Sequence, residues 1–264
     1  MKRSGGNMKM INRIIASILL LLSNSACASD ETKLNKLVSQ LKPWFTSAQK
    51  AEISPWQYGV SNNIHQLKNT SPIHGGGALL YRINAKACAI SIPHRFFDTH
   101  TYQIGKQLFN AHCQLLVHNT HHRYSDSIDG LSMDYSKRHY NLHNAAILAF
   151  QGLHKDAKVI QVHGFNQQKR KTDKAKKADF IISQGKKGNV IKKQLTLCLS
   201  KLSKNSYFYP ELVQELGGTK NILHTLNIRP YSFIHIEISK PMRKRLIEEQ
   251  HLMSQFSECI KQII

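Results

Sequence analysis

From Gly77 to Ser239 the chain alternates short apolar runs with longer amphipathic stretches, and this alternation constrains the fold more than any other feature. The runs Ala78 to Ile83, Ala87 to Ile92, Gln114 to His118, Val159 to His163, Phe180 to Ser183 and Phe233 to Ser239 read as strands. The stretches Tyr102 to Ala111, His143 to Leu153, Val190 to Leu202 and Pro241 to Ile263 read as helices. The last has Ser239 as a cap candidate, Pro241 in its first turn and an apolar stripe through Leu246, Met253, Phe256 and Ile260. Strands joined by helical crossovers lie parallel, so the pattern predicts a single-domain α/β fold whose mostly parallel, mixed central sheet is flanked by helices. At 264 residues, 41% hydrophobic and 20% charged, the chain can bury an ordinary core, which excludes disorder, collagen and coiled coil.

The first 28 residues stand apart. A basic start (Lys2, Arg3, Lys9, Arg13), an apolar run from Ile14 to Leu22 and the small-residue sequence Ala26-Cys27-Ala28 form the pattern of a secretory signal peptide. Attachment of lipid at Cys27 is the weaker alternative, because Asn24 occupies a position where an apolar residue is expected. Residues 29–72 are expected to form an N-terminal helix and a covering segment, and 73–264 the α/β catalytic domain. No later run is long enough for a transmembrane helix, so the mature chain is expected outside the cytoplasm, periplasmic or secreted.

The formal charge is +21, and loss of the four basic residues of the signal leaves +17. Such a field concentrates anions, whether cell-wall material, acidic peptides or other polyanions. Four cysteines lie beyond the signal. In an oxidising compartment they suggest two disulfides; pairing Cys88 with Cys113 and Cys198 with Cys259 joins neighbouring elements of the layout.

Ligands of open parallel sheets bind beyond the carboxyl ends of the strands, so the polar residues that follow apolar runs are the ones to inspect. His94, with Asp98 beyond it, follows one run; Asn119, Thr120, His121, His122 and Arg123 follow another; His163 and Glu237 end two more. Two imidazoles and a carboxylate can hold zinc with one position left open, and His94, Asp98 and His163 are the candidate ligands. Glu237 is then the candidate general base, its alternative being an ion pair with Arg243 or Arg245. Arg123 can hold a substrate carboxylate, its alternative being a pair with Asp126 or Asp134.

Three further features are open to two readings each. His74-Gly75-Gly76-Gly77 matches the oxyanion loop of some esterases, but the chain has no G-x-S-x-G, so close backbone approach or a tight turn is the better reading. The polar cluster from Asp134 to His143 suits either the pocket wall or helix capping and surface. The basic stretch Lys169 to Lys177 reads as an exposed loop, simply solvated or else a lid attracting an anionic substrate.

Pro93-His94 with Asp98 beyond, Asn119 to Arg123, His163-Gly164 and Glu237 together resemble the zinc-dependent carboxypeptidase-like superfamily, including N-formylglutamate amidohydrolases and secreted poly-gamma-glutamate hydrolases. The resemblance covers roughly Ser71 to Ser239 and implies a phosphorylase/hydrolase-like α/β fold, one zinc ion, and hydrolysis of an amide bond near a free carboxylate. By it, His94, Asp98 and His163 correspond to the ligands, Glu237 to the catalytic glutamate and Arg123 to a substrate-binding arginine, with His74 and Asn119 as further substrate-binding candidates. The spacing departs from the family's H-x-x-E: His94 and Asp98 are separated by one residue more. His74, His121 or His122 are the substitutes should Asp98 fall short of the metal.

The expected function is that of a secreted zinc-dependent amidohydrolase or carboxypeptidase-like enzyme acting on a cell-wall peptide or gamma-glutamyl substrate. The alternative is a non-catalytic exported protein whose basic cleft binds anionic polymers. Specific recognition of nucleic acid is not expected, for the chain lacks the aromatic and basic interleaving of a nucleic-acid fold.

Overall fold

The structure, a computed structural model, describes residues 30–264 apart from 72–75, 126, 129, 131, 186–189, 227 and 230. The expected signal sequence therefore lies outside the described residues, as does His74. Helix α1 (30–46) leads into strands β1 (Gln57–Ser61) and β2 (Ile64–Asn69), followed by β3 (Gly77–Tyr81), β4 (Lys86–Ile92), α2 (Thr101–Ala111) and β5 (Cys113–His118). Then come α3 (Leu142–Leu153), β6 (Lys158–Phe165), α4 (Asp173–Lys177), β7 (Phe180–Ser183), α5 (Val190–Leu199), β8 (Ser206–Phe208), β9 (Phe233–Ser239), α6 (Lys240–Glu248) and α7 (Gln250–Lys261).

One sheet runs in the order β1-β2-β3-β5-β4-β6-β9-β7-β8. Its centre, β5-β4-β6-β9, is parallel; β3 and the β1-β2 hairpin extend it antiparallel on one side, and β7 runs antiparallel to β9 on the other. The expected mixed α/β sheet is thus present, with antiparallel additions at both flanks. The segment expected merely to cover the sheet instead contributes two strands to it. Their burial is only partial on an edge, which weakens the sequence alternation that marks a strand.

Strand alternation sorts the apolar residues into two cores. Ile90, Ile92, Ile160, Val162, Ile234, Ile236 and Ile238 face α2, α5, α6 and α7. Ala89, Val159 and Phe233, with Leu115 and Val117, face α1 and α3. Cys88 and Cys113 link β4 to β5, and Cys198 and Cys259 link α5 to α7, with Cα separations of 4.8 and 5.6 Å.

The helix expected over Pro241 to Ile263 is broken at Glu249, whose backbone is extended. The break serves two packing directions: α6 lies against β9, β6 and α2, whereas α7 lies against α2 and α5. Ser239 caps α6 by accepting from the Met242 amide at 3.3 Å, with Pro241 in the first turn. The basic stretch also departs from a plain loop. Thr172 caps the short α4, Ala175 is buried beneath it, and the Glu215 carboxylate accepts from the amides of Lys171 and Thr172 at 3.0 and 2.9 Å while pairing with Arg170.

Candidate metal centre and basic cleft

The face of the sheet that carries Ala89, Val159 and Phe233 turns polar toward the carboxyl ends of the same strands. Ser91 lies beside Gln161, Gln161 beside His235, and His163 beside Glu237 in the strand register. Alternation puts all five side chains on one face, where an apolar layer would ordinarily continue. All are buried. Burying so many polar groups is unfavourable unless they are paired, so their placement calls for a chemical reason.

His94 and Asp98 sit just past β4. The amides of Phe97 and Asp98 both donate to the His94 carbonyl, at 3.0 and 2.8 Å, and close a helical turn. In such a turn residues four apart share a face, which is how the extra residue between histidine and acid is accommodated. Asp98 Oδ2 lies 3.4 Å from His94 Nδ1 and 3.3 Å from His163 Nδ1. One ligand atom from each of the three residues lies within 4.8 Å of the others, and among the described residues no other cluster of histidine, cysteine and carboxylate converges in this way.

The far nitrogen of each imidazole is also engaged. His94 Nε2 is 2.8 Å from Asp134 Oδ1, and His163 Nε2 is 3.0 Å from Gln161 Oε1. Ser136 donates to the same Asp134 oxygen at 2.6 Å, and Arg123 grips the other oxygen. Metal-ligating histidines are held in this manner, which fixes the ring and raises its basicity. The donor set, two imidazole nitrogens and a carboxylate, fits zinc with a position left open.

The electrostatics follow from these contacts. Burial works to lower the pKa of His94, but its bonds to Asp134 and Asp98 and their charges raise it on balance. Asp98 is held below the usual carboxylate range: burial acts to raise it, and the contacts and charges of His163 and His94 prevail. Asp134 is lowered too, burial being outweighed by His94, Ser136 and Arg123. His163 is pushed down to about 4 by burial, with the charge of His94 adding and Asp98 opposing. Burial likewise takes His143, beneath the site, to about 4.

Glu237 lies at the edge of this cluster with 8% of its surface exposed. Its Oε1 is 3.3 Å from His235 Nε2, and Oε2 is buried without a hydrogen-bond partner. Neither arginine of the alternative reading holds it. Arg245 pairs with Glu249, and Arg243 donates to the carbonyls of Thr99, Phe165 and Ile238. Arg243 passes directly over Gly164, where a Cβ would stand 2.1 Å from Nη1; this close approach accounts for the glycine after His163.

A cleft of about 500 Å³ opens over these residues, lined by His94, Asp98, His163, His235 and Glu237. Five cations, Arg123, Lys137, Lys169, Arg170 and Lys220, line it as well. Arg123 takes the pair with Asp134 that the sequence left open, and its Nη1 also lies 3.2 Å from His94 Nδ1. Phe97 and Tyr124 flank its guanidinium at 5.4 and 5.3 Å.

The remaining candidates are placed differently. Asn119 is spent inside the protein, accepting from the Arg95 amide at 2.9 Å and donating to the His121 carbonyl at 2.6 Å, and it does not line the cleft. His121 is beside Thr120, and His122 packs on Phe97 and Tyr124, so neither stands in for Asp98. Gly76 and Gly77 have positive φ, and a Cβ on Gly76 would meet Thr120 Oγ1 at 2.4 Å, so this half of the glycine run serves close backbone approach.

Sequence reading did not single out Gln161 and His235, nor the link between Asp134 and His94. The first two carried a signal, a polar residue on the same strand parity as His163 and Glu237. Asp134 carried none, because its contact with His94 spans 40 residues of chain.

No family model matches the sequence, and no curated protein matches it. Among solved structures, a bacteriophage poly-gamma-glutamate hydrolase aligns with a TM-score of 0.44 and 14% identity over 68% of this chain and 84% of its own. An N-formylglutamate amidohydrolase from Ralstonia eutropha JMP134 aligns with 0.46 and 12% over 68% and 93%. A metallo-carboxypeptidase from Burkholderia cenocepacia aligns with 0.41 and 8% over 77% and 65%. With every TM-score below 0.5, these likenesses do not say which residues act, and the chemistry rests on the side chains described above.

Proposed function

We propose that the chain is an exported zinc-dependent hydrolase that cleaves an amide or peptide bond beside a carboxylate, with cell-wall peptides and gamma-glutamyl chains as the substrate class. The observation that carries this reading is the convergence of His94 Nδ1, His163 Nδ1 and Asp98 Oδ2, each imidazole backed at its far nitrogen. These three residues would hold the ion. When bound there, zinc supplies Lewis acidity to a carbonyl and lowers the pKa of water.

Glu237 would take the proton of the attacking water on Oε2, the oxygen that has no partner, and deliver it to the leaving nitrogen. His235 holds the other oxygen and so orients the carboxylate. Arg123, whose Nη2 pairs with Asp134 and whose Nη1 points at His94, would offer its remaining N–H donors to the substrate's anionic end. Lys137, Lys169, Arg170 and Lys220 at the cleft draw an anionic chain toward it. Two disulfides fit an oxidising compartment, and no described helix is long and apolar enough to cross a membrane.

The test is Glu237→Gln assayed on gamma-glutamyl peptides and N-acyl amino acids, with bound zinc measured in parallel. Zinc retained and turnover lowered about 100-fold or more supports the reading; unchanged turnover removes Glu237 from it. The cationic lining also favours a second reading, a non-catalytic binder of anionic polymers. That protein would turn over neither substrate and would lose affinity steeply as salt rises.

A further inference from the structure

A line of buried polar side chains runs under the candidate metal centre, and its ends are tied to backbone groups whose donor and acceptor character is fixed. At one end the Asn144 amide nitrogen donates to the carbonyls of Arg138 and His139 at 2.7 and 3.2 Å, so Asn144 Oδ1 must accept. It faces His143 Nδ1 at 3.1 Å, which places the proton of that neutral imidazole on Nδ1 and leaves Nε2 an acceptor. The Ser91 hydroxyl, 2.9 Å away, donates to Nε2 and in turn accepts from Gln161 Nε2 at 3.0 Å.

The other end gives the same answer independently. Asn221 Oδ1 accepts from the Leu223 amide at 3.1 Å, so Asn221 Nδ2 is the atom that faces Gln161, at 2.5 Å from Oε1. Both ends therefore require Gln161 to present its amide nitrogen to Ser91 and its oxygen to Asn221. The same oxygen lies 3.0 Å from His163 Nε2. An oxygen there accepts only from an Nε2–H, so in the neutral imidazole the lone pair of His163 is left on Nδ1, directed at the Asp98 carboxylate 3.3 Å away.

We infer that Gln161, oriented from both sides by Ser91 with His143 and Asn144 and by Asn221, is a positioning residue that locks His163 in the Nε2–H tautomer and so presents Nδ1 to a divalent cation. The inference rests on the metal-hydrolase reading for its purpose but not for its geometry. A lone pair aimed at a carboxylate is unfavourable unless a cation lies between them, which gives five buried polar side chains a task that folding alone does not require. Asn144, His143, Ser91, Gln161 and Asn221 are each almost wholly inaccessible to water.

The test compares wild type with Gln161→Met, which removes the amide at similar volume, and Gln161→Glu, which keeps an acceptor toward His163. Two quantities are read: the tautomer of His163 by nitrogen NMR of the metal-free, histidine-labelled protein, and zinc affinity by chelator competition. The expected result is Nε2–H for His163 in wild type and Gln161→Glu, loss of that preference in Gln161→Met, and zinc binding weakened about 10- to 100-fold in Gln161→Met alone. Should Gln161→Met fail to fold, Gln161→Leu, which likewise removes the amide, is read by the same two measurements, and Nδ1–H on His163 in the metal-free wild type would by itself overturn the inference. An unchanged tautomer, with zinc affinity within twofold of wild type, overturns the inference. Absence of zinc binding in wild type would overturn the hydrolase reading instead, while the tautomer measurement still decides the role of Gln161.

Discussion

Asp134 accepts from His94 at 2.8 Å through one carboxylate oxygen and holds Arg123 through the other, so a single side chain ties the first candidate ligand to the candidate substrate anchor. Removing it acts on both. Asp134→Ala is expected to weaken zinc binding about 10- to 100-fold, because the far nitrogen of His94 loses its acceptor. Chelator competition measures this, and an affinity within twofold of wild type would show that Asp134 serves Arg123 alone.

Gly164 follows His163 because the Arg243 guanidinium fills the space that a side chain would need. Gly164→Ala must displace Arg243 from the carbonyls of Thr99, Phe165 and Ile238. A loss of about 1–3 kcal/mol is expected for overpacking of this kind. Denaturant titration should show a lower midpoint with an unchanged slope; an unchanged midpoint would mean that Arg243 has an alternative position at no cost.

His118 is fully enclosed at the end of β5, donating from Nδ1 to the Asn119 carbonyl at 2.8 Å, and burial pushes its pKa down to about 3. The unfolded chain binds that proton near pH 6.5, so between these values the unfolded state holds more protons and stability falls as pH falls. The raised pKa of His94 acts in the opposite sense, which makes a single-site comparison necessary. Between pH 7.5 and 4.5 the melting temperature of wild type should fall more steeply than that of His118→Asn, which keeps a donor toward the Asn119 carbonyl. Equal slopes would remove His118 from the acid response.

How far the sequence discloses this architecture depends on burial. Strands buried on both faces, such as Phe180–Ser183 and Phe233–Ser239, stand out as apolar runs and fall at their expected bounds. The hairpin of β1 and β2, partly exposed at the sheet edge, has no such run, and β8 is only three residues long. Local chemistry also fixed the turn from His94 to Asp98, since both residues lie within one helical turn. The partners that hold the imidazoles from behind are another matter. Gln161 and His235 were readable only as polar breaks in apolar strands, and Asp134 reaches His94 through tertiary folding that no spacing rule describes. Asn119 shows the converse error: a polar residue at a strand end whose hydrogen bonds are consumed in holding the loop.

Whether the centre holds an ion is decided by the metal content of the untagged protein by elemental analysis, beside a His94→Ala/His163→Ala variant whose fold is verified by circular dichroism. About one zinc per chain in the wild type and none in the folded variant is the predicted result, following from donor atoms that lie within 4.8 Å of one another. Wild-type protein that remains metal-free after incubation with zinc and removal of excess would contradict it, and the cleft would then be a binding site for anions without a metal-dependent reaction.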